Sequence, residues 1–105
     1  MSTYMIAEMK FRDTEWVDDY MAVVPDIVRK HGGIYISQAL DIERIEGNRE
    51  NPDVVVIIQF PSKEDAYAFS NDPEYQPYSA ARQRSTDSEV ILVPGIETLI
   101  TSTTP

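Results

Sequence analysis

The 105-residue sequence contains no cysteine, which excludes disulfides, thiol redox chemistry, cysteine nucleophiles and thiolate metal sites together. It contains a single histidine, too few imidazoles for one chain to build a zinc or iron centre by itself. Bases are scarce: 9 Lys and Arg face 18 Asp and Glu, for a net charge of −9. The acids are scattered, and a surface of that sign repels phosphate backbones and anionic lipid, so neither nucleic acid nor membrane is an expected partner. No apolar run approaches the ~18 residues of a membrane span. The opening residues show neither a basic segment nor an apolar signal core, so a cytoplasmic location is expected. Glycine-rich phosphate loops, nucleophile elbows and paired histidines are also missing.

What is present fits one globular domain, expected over residues 1–95 with a C-terminal tail over 96–105. Hydrophobic residues make up 42% of the chain, enough for a core without staples. Met5, Ala7, Met9 and Phe11 alternate with Tyr4, Ile6, Glu8 and Lys10, the period of a strand from about Thr3 to Phe11. Asp13 or Thr14 is placed to cap a helix whose apolar stripe is Val17, Tyr20, Met21, Val24, Ile27, Val28 and His31. Gly32-Gly33 ends that helix, and Pro25 inside it should kink the rod.

A second strand is expected from Ile34 to Leu40, followed by a polar connection, Asp41 to Asp53, with turn signals at Gly47-Asn48 and Asn51-Pro52. Val54 to Phe60 is a third strand, apolar at successive positions. Ser62 and Asp65 form a capping pair for a second helix ending near Asn71. Asp72-Pro73 restarts a helical segment to about Arg84, with the proline at its first position. A fourth strand is expected over Glu89 to Val93, before Pro94-Gly95. The tail holds Ile96, Leu99 and Ile100.

The order strand, helix, strand, strand, helix, strand is the ferredoxin-like βαββαβ pattern: an α+β domain with a four-stranded antiparallel sheet and its helices on one face. The third strand is apolar on both faces, and Val90 to Val93 are apolar in succession. Wetting such side chains forfeits about 1.5–3 kcal/mol each. The same face of a second copy about a two-fold axis is the economical cover, so a homodimer is expected.

Four short motifs occur in order: His31-Gly32-Gly33, Ile45-Glu46-Gly47, Phe60-Pro61-Ser62 and Ser70-Asn71-Asp72-Pro73-Glu74-Tyr75-Gln76. On these the sequence resembles domain of unknown function 1330, DUF1330, from about Tyr4 to Gly95. The resemblance implies a dimeric α/β barrel in which two ferredoxin-like sheets pack face to face. The wider superfamily includes cofactor-free monooxygenases acting on aromatic polyketides, haem-degrading enzymes and lactone isomerases. Fold does not license function, and the family brings no agreed reaction.

Several residues are candidates for a site, each with a plainer structural reading beside it. His31, the sole imidazole, is a general base or polar anchor, or else it complements the negative end of its helix. Arg44 and Glu46 would form a polar pair at a pocket mouth, with the arginine clamping a carboxylate, or an exposed ion pair of little worth. Tyr75, Tyr78 and Arg82 share a stripe at i, i+3 and i+7 and would meet an anionic or aromatic ligand. Alternatively, the tyrosines pack on the sheet edge with Arg82 in water. Glu8, polar within an apolar strand, is a credible acid or base if it faces the barrel, or a solvated strand-end residue if not. Gln59 is polar in the same way. Trp16 and the methionines read as core rather than as a ligand cage.

A ligand site is expected at the C-terminal end of the first helix. His31 would stand there with Tyr75 and Arg82 opposite, the three as catalytic groups, and Arg44, Glu46, Tyr78 and Glu8 would bind the ligand. Two functions compete. One is a cofactor-independent enzyme or binding protein for a small hydrophobic, aromatic or anionic metabolite, of the oxygenase or isomerase kind. The other is a non-catalytic dimeric assembly module. A haem enzyme is the poorer third reading, since one histidine would have to supply the axial ligand. An enclosed cavity of about 300 Å³ or more would favour the ligand reading.

Overall fold

The computed structural model describes residues 2–96. The first strand, β1, runs Thr3–Phe11 and the first helix, α1, Val17–Lys30. They are followed by β2 (Ile34–Ala39), β3 (Val54–Phe60), α2 (Lys63–Ser70), α3 (Gln76–Ser85) and β4 (Thr86–Pro94). The strands form one antiparallel sheet in the order β2-β3-β1-β4, the ferredoxin-like α+β topology.

Alternation assigns the two faces. Met5, Ala7 and Met9 of β1 and Val54, Val56, Ile58 and Phe60 of β3 are buried on the inner face. They form one core with Val24, Ile27 and Val28 of α1 and with Ala66 and Phe69 of α2. The outer face carries Ile6, whose neighbours across the ladder are Ile57 on one side and Ile91 on the other. A register shift between Tyr35 and Ser37 marks a bulge in β2. On its N-terminal side Ile34 is exposed and Tyr35 turns inward opposite Ile58, and Ile36, at the bulge, is exposed as well.

The turn from α1 into β2 requires both of its glycines. Gly33 N–H bonds Val28 O at 2.9 Å and Gly32 N–H bonds Arg29 O at 2.9 Å, the pattern of a left-handed helix terminus. Gly32 has φ +79°, and a Cβ on Gly33 would lie 2.5 Å from Val28 Cγ1 and 2.8 Å from Phe60 Cε1. The chain therefore enters β2 directly against the core. α1 itself runs past Pro25 to Lys30.

Three local expectations need correction. No side chain caps α1, which starts after Trp16; Asp13 Oδ1 instead accepts from Glu15 N at 3.1 Å, ordering the turn before it. Pro73 precedes α3 rather than opening it, because Asp72 Oδ1 accepts from Glu74 N at 2.8 Å and makes a turn of its own. Pro77 takes the early helical position instead. β4 begins at Thr86, not Glu89. Its polar start hid it: Thr86 is buried and bonds Arg82 O at 2.8 Å, a partner invisible to a hydrophobic pattern. Ser62 caps α2 as expected, accepting from Asp65 N at 3.1 Å. Leu99 and Ile100 of the tail lie outside the described residues.

Candidate functional site

α1 and α3 do not close completely over the sheet. Between them and the inner face lies a cavity of about 570 Å³. Its floor is Met5, Ala7 and Met9 of β1 with Val54, Val56 and Ile58 of β3. Trp16, Tyr20 and Met21 form one wall and Tyr75, Ser79 and Arg82 the other, with Gln38 and the exposed Leu40 at the rim.

The walls are aromatic for a continuous reason. Phe11 meets Trp16 at 6.1 Å between ring centroids, Trp16 meets Tyr20 edge-on at 5.1 Å, and Tyr20 meets Tyr75 edge-on at 6.2 Å. Tyr75 then stacks on Phe69 at 4.4 Å, and Phe69 on Phe60 at 5.7 Å. Edge-on and stacked contacts of this kind link the rings into one continuous aromatic surface facing the cavity. The Tyr20 and Tyr75 hydroxyls lie 3.0 Å apart. Burial, then the neighbouring Tyr75 phenol, pushes the Tyr20 phenol well above its usual range, with Arg82 opposing. Burial, again seconded by Tyr75, pushes Tyr35 up to about 12. Both therefore stay neutral and serve as hydrogen-bond groups at ordinary pH.

Arg82 is the polar centre of this site. It is 6% exposed, and Nη1 donates to Ser88 Oγ at 2.7 Å while Nη2 reaches Ser79 Oγ at 3.4 Å. Thr86 Oγ1 lies 3.2 Å from Ser88 Oγ and bonds the Arg82 carbonyl, so α3 and β4 lock the guanidinium from two sides. Among the described residues no carboxylate forms an ion pair with it.

The geometry separates the residues expected to act together. Tyr75 and Arg82 line the cavity. His31 does not: its Nε2 bonds Asp72 Oδ2 at 2.8 Å, beside Lys30 Nζ at 2.6 Å from the same oxygen. The Lys30 ammonium, then His31, then the Glu74 N–H hold the Asp72 carboxyl well below the usual carboxylate range. His31 thus ties the end of α1 to the turn before α3, one ring behind the wall, 6.4 Å from Phe69. Tyr78 packs against the core without lining the cavity, since the inward stripe of α3 is Tyr75, Ser79 and Arg82.

Glu8 sits on the outer face opposite Glu89 and Val55, and Gln59, on that face too, donates to Ser2 Oγ at 2.9 Å. Arg44 and Glu46 are both exposed, and Arg44 Nε bonds Asn51 Oδ1 at 3.0 Å rather than Glu46. Glu8 and Arg44 border a separate open depression at the end of the sheet, where Lys10 pairs with Glu50 and Arg12 with Asp87. Trp16, Met5 and Met9 are wall as well as core, while Met21 lines the wall but is exposed. Tyr20, Tyr35, Ser79 and Ser88 were not singled out by sequence. Tyr20 was visible only as one position of an apolar stripe, and the serines carried no signal. Among the described residues no three His, Asp or Glu side chains cluster as metal ligands, and no helix is long and apolar enough to cross a membrane.

A family model described as Domain of unknown function (DUF1330) matches residues 2–96. The chain belongs to the DUF1330 family. This DUF1330 chain is similar in structure to the RPA0582 protein of unknown function from Rhodopseudomonas palustris, with a TM-score of 0.75 at 21% identity over 90% of this chain and 82% of that one. It is also similar to a dimeric ferredoxin-like protein of unknown function from Jannaschia sp. CCS1, with a TM-score of 0.71 at 12% identity over 90% and 100% of the two chains. A third similarity is to SnoaB, a cofactor-independent oxygenase from Streptomyces nogalater, with a TM-score of 0.65 at 14% identity over 90% and 92%. At these identities the likeness is one of fold. No curated protein matches the sequence.

Proposed function

We propose that this DUF1330 domain acts as a homodimer that binds or converts a small aromatic molecule, without a cofactor, in the cavity between α1, α3 and the sheet. The observation that carries this reading is the cavity itself. Protein interiors close to crystal-like density, yet about 570 Å³ stays open here behind a wall of interlocked aromatic rings. That volume falls in the range of small-molecule sites. A purely structural dimer module would have no use for the gap, and filling it would add stability. SnoaB, on the same fold, is described as a cofactor-independent oxygenase, which favours chemistry of that kind over a redox-cofactor site.

The dimer rests on the outer face. Ile91, 54% exposed in the single chain, pairs with Ile6, which pairs in turn with Ile57, and Ile34 on β2, opposite Gln59, is 61% exposed. A second copy covers that face at no cost in loop or helix, and the Jannaschia relative is described as dimeric.

The test is a calorimetric and thermal-shift screen of the full chain against mono- and bicyclic aromatics, with Ala7→Phe as the control. Ala7 is part of the floor, and a phenyl ring there occupies the ligand volume. Hits that bind the native protein and lose affinity in Ala7→Phe support the reading. Aromatics that never bind, or bind both proteins equally, refute it.

A further inference from the structure

We infer that the cavity is built for an organic monoanion: an aromatic body carrying one carboxylate, or an equally acidic enol or phenol, with its charge on Arg82. The inference rests on the cavity being a ligand site, as proposed above, and adds what that site selects.

Charge is the first argument. The chain carries −9 overall, yet among the described residues no Asp, Glu, His or Lys lines the cavity, and Arg82 gives that lining a single formal positive charge. An acidic protein thus keeps every described carboxylate out of this one volume. Burying a guanidinium without a counter-ion is costly, and Arg82 meets only two neutral serine hydroxyls. A guanidinium has five N–H groups, and two are used. The remainder of its fork matches the two oxygens of a carboxylate.

The second argument concerns the rest of the wall. The Tyr20 and Tyr75 hydroxyls share one hydrogen bond, so whichever accepts keeps its own proton free to donate. One of the two tyrosine hydroxyls and Arg82 therefore offer donors, and six aromatic rings (Phe11, Trp16, Tyr20, Tyr35, Phe69 and Tyr75) line the volume around them. A cationic ligand would find no counter-charge. The described wall offers neither carboxylate nor imidazole as a base, so the ligand must bring its negative charge with it rather than be deprotonated on arrival. Any chemistry would then begin from an anion already formed.

The probes are 2-naphthoate, 2-naphthamide and 2-naphthylmethylammonium, of nearly equal shape and different charge, titrated into the full chain by calorimetry at neutral pH. The carboxylate should bind about 10- to 100-fold more tightly than the amide, as expected for a charged hydrogen bond at a buried site, and the ammonium most weakly. In Arg82→Gln the preference for carboxylate over amide should fall to within about threefold, while the amide keeps its affinity. If Arg82→Gln does not fold, Arg82→Lys, which keeps the charge but loses the planar fork, should reduce the preference without abolishing it. Equal binding of all three probes, preference for the ammonium, or an unchanged preference in the Arg82 variant overturns the anion site and leaves the cavity reading standing. Failure of every probe to bind overturns both.

Discussion

Ile57→Asp separates the two faces of the sheet. Ile57 lies on β3 between Val56 and Ile58, both buried inward, and its own side chain is outward, half-buried, opposite Ile6 and Ser37. In a monomer an aspartate there would be solvated, so the helices and inner core should persist. In the proposed two-fold dimer the substitution appears twice in one interface. Each copy forfeits about 1.5–3 kcal/mol of apolar burial, and two copies about 3–6 kcal/mol, which is a factor of about 10² to 10⁴ in the dissociation constant. Desolvating two carboxylates of like charge adds to that. Sedimentation equilibrium at micromolar concentration should give the dimer mass for the native chain and the mass of one chain for Ile57→Asp, with unchanged far-ultraviolet circular dichroism. Ile58→Asp, one residue on and 6% exposed in the inner core, should unfold the chain instead. A folded Ile57→Asp variant that keeps the dimer mass would show that the outer face is not the interface.

Asp72 should govern part of the acid stability. Its carboxyl is held low by Lys30, His31 and the Glu74 N–H, so its contribution is full above the unfolded value of about 4 and is lost as pH falls below it toward the depressed folded value. Melting curves from pH 7 downward should show Asp72→Asn less stable at pH 7 and flatter below about pH 4 than the native chain; parallel curves would contradict this. The two glycines after α1 should also differ in why they fail. Gly32→Ala meets the left-handed penalty of about 1–2 kcal/mol. Gly33→Ala must displace Val28 and Phe60 and should cost the upper part of the ~1–3 kcal/mol overpacking range. Urea unfolding ranks the two, and equal, negligible losses would mean the turn relaxes freely.

Much of the fold follows from local periodicity. The alternation through Met5, Ala7 and Met9 marks β1, the stripe Val24, Ile27, Val28 marks α1, and Ser62 with Asp65 marks the start of α2. Each is a statement about residues two to four apart, which backbone geometry ties together wherever the chain goes. The same locality explains the misses. Asp13 has the chemistry of a cap but orders an earlier turn, and the polar start of β4 looked like loop because its partner, Arg82, sits on another element.

The candidate site divides along the same line. Tyr75 and Arg82 were legible, since one is the N-cap of a short helix and the other stands on that helix at a spacing that shares a face. His31 was legible as unusual, but its bond to Asp72 spans 41 residues and fixes a joint between α1 and α3 rather than a cavity wall. Tyr20 reaches Tyr75 across 55 residues, and the hydroxyls of Ser79 and Ser88 meet one guanidinium from different elements. The sequence alone determined the elements, their order and the need to cover an apolar outer face, because those depend on period and hydrophobic burial. Only the tertiary structure decided that Arg82 is buried with no carboxylate partner among the described residues and that six rings, Tyr20 and Tyr75 among them, line an open volume beside it. Packing sets such convergence, bringing distant side chains together at distances no local pattern records.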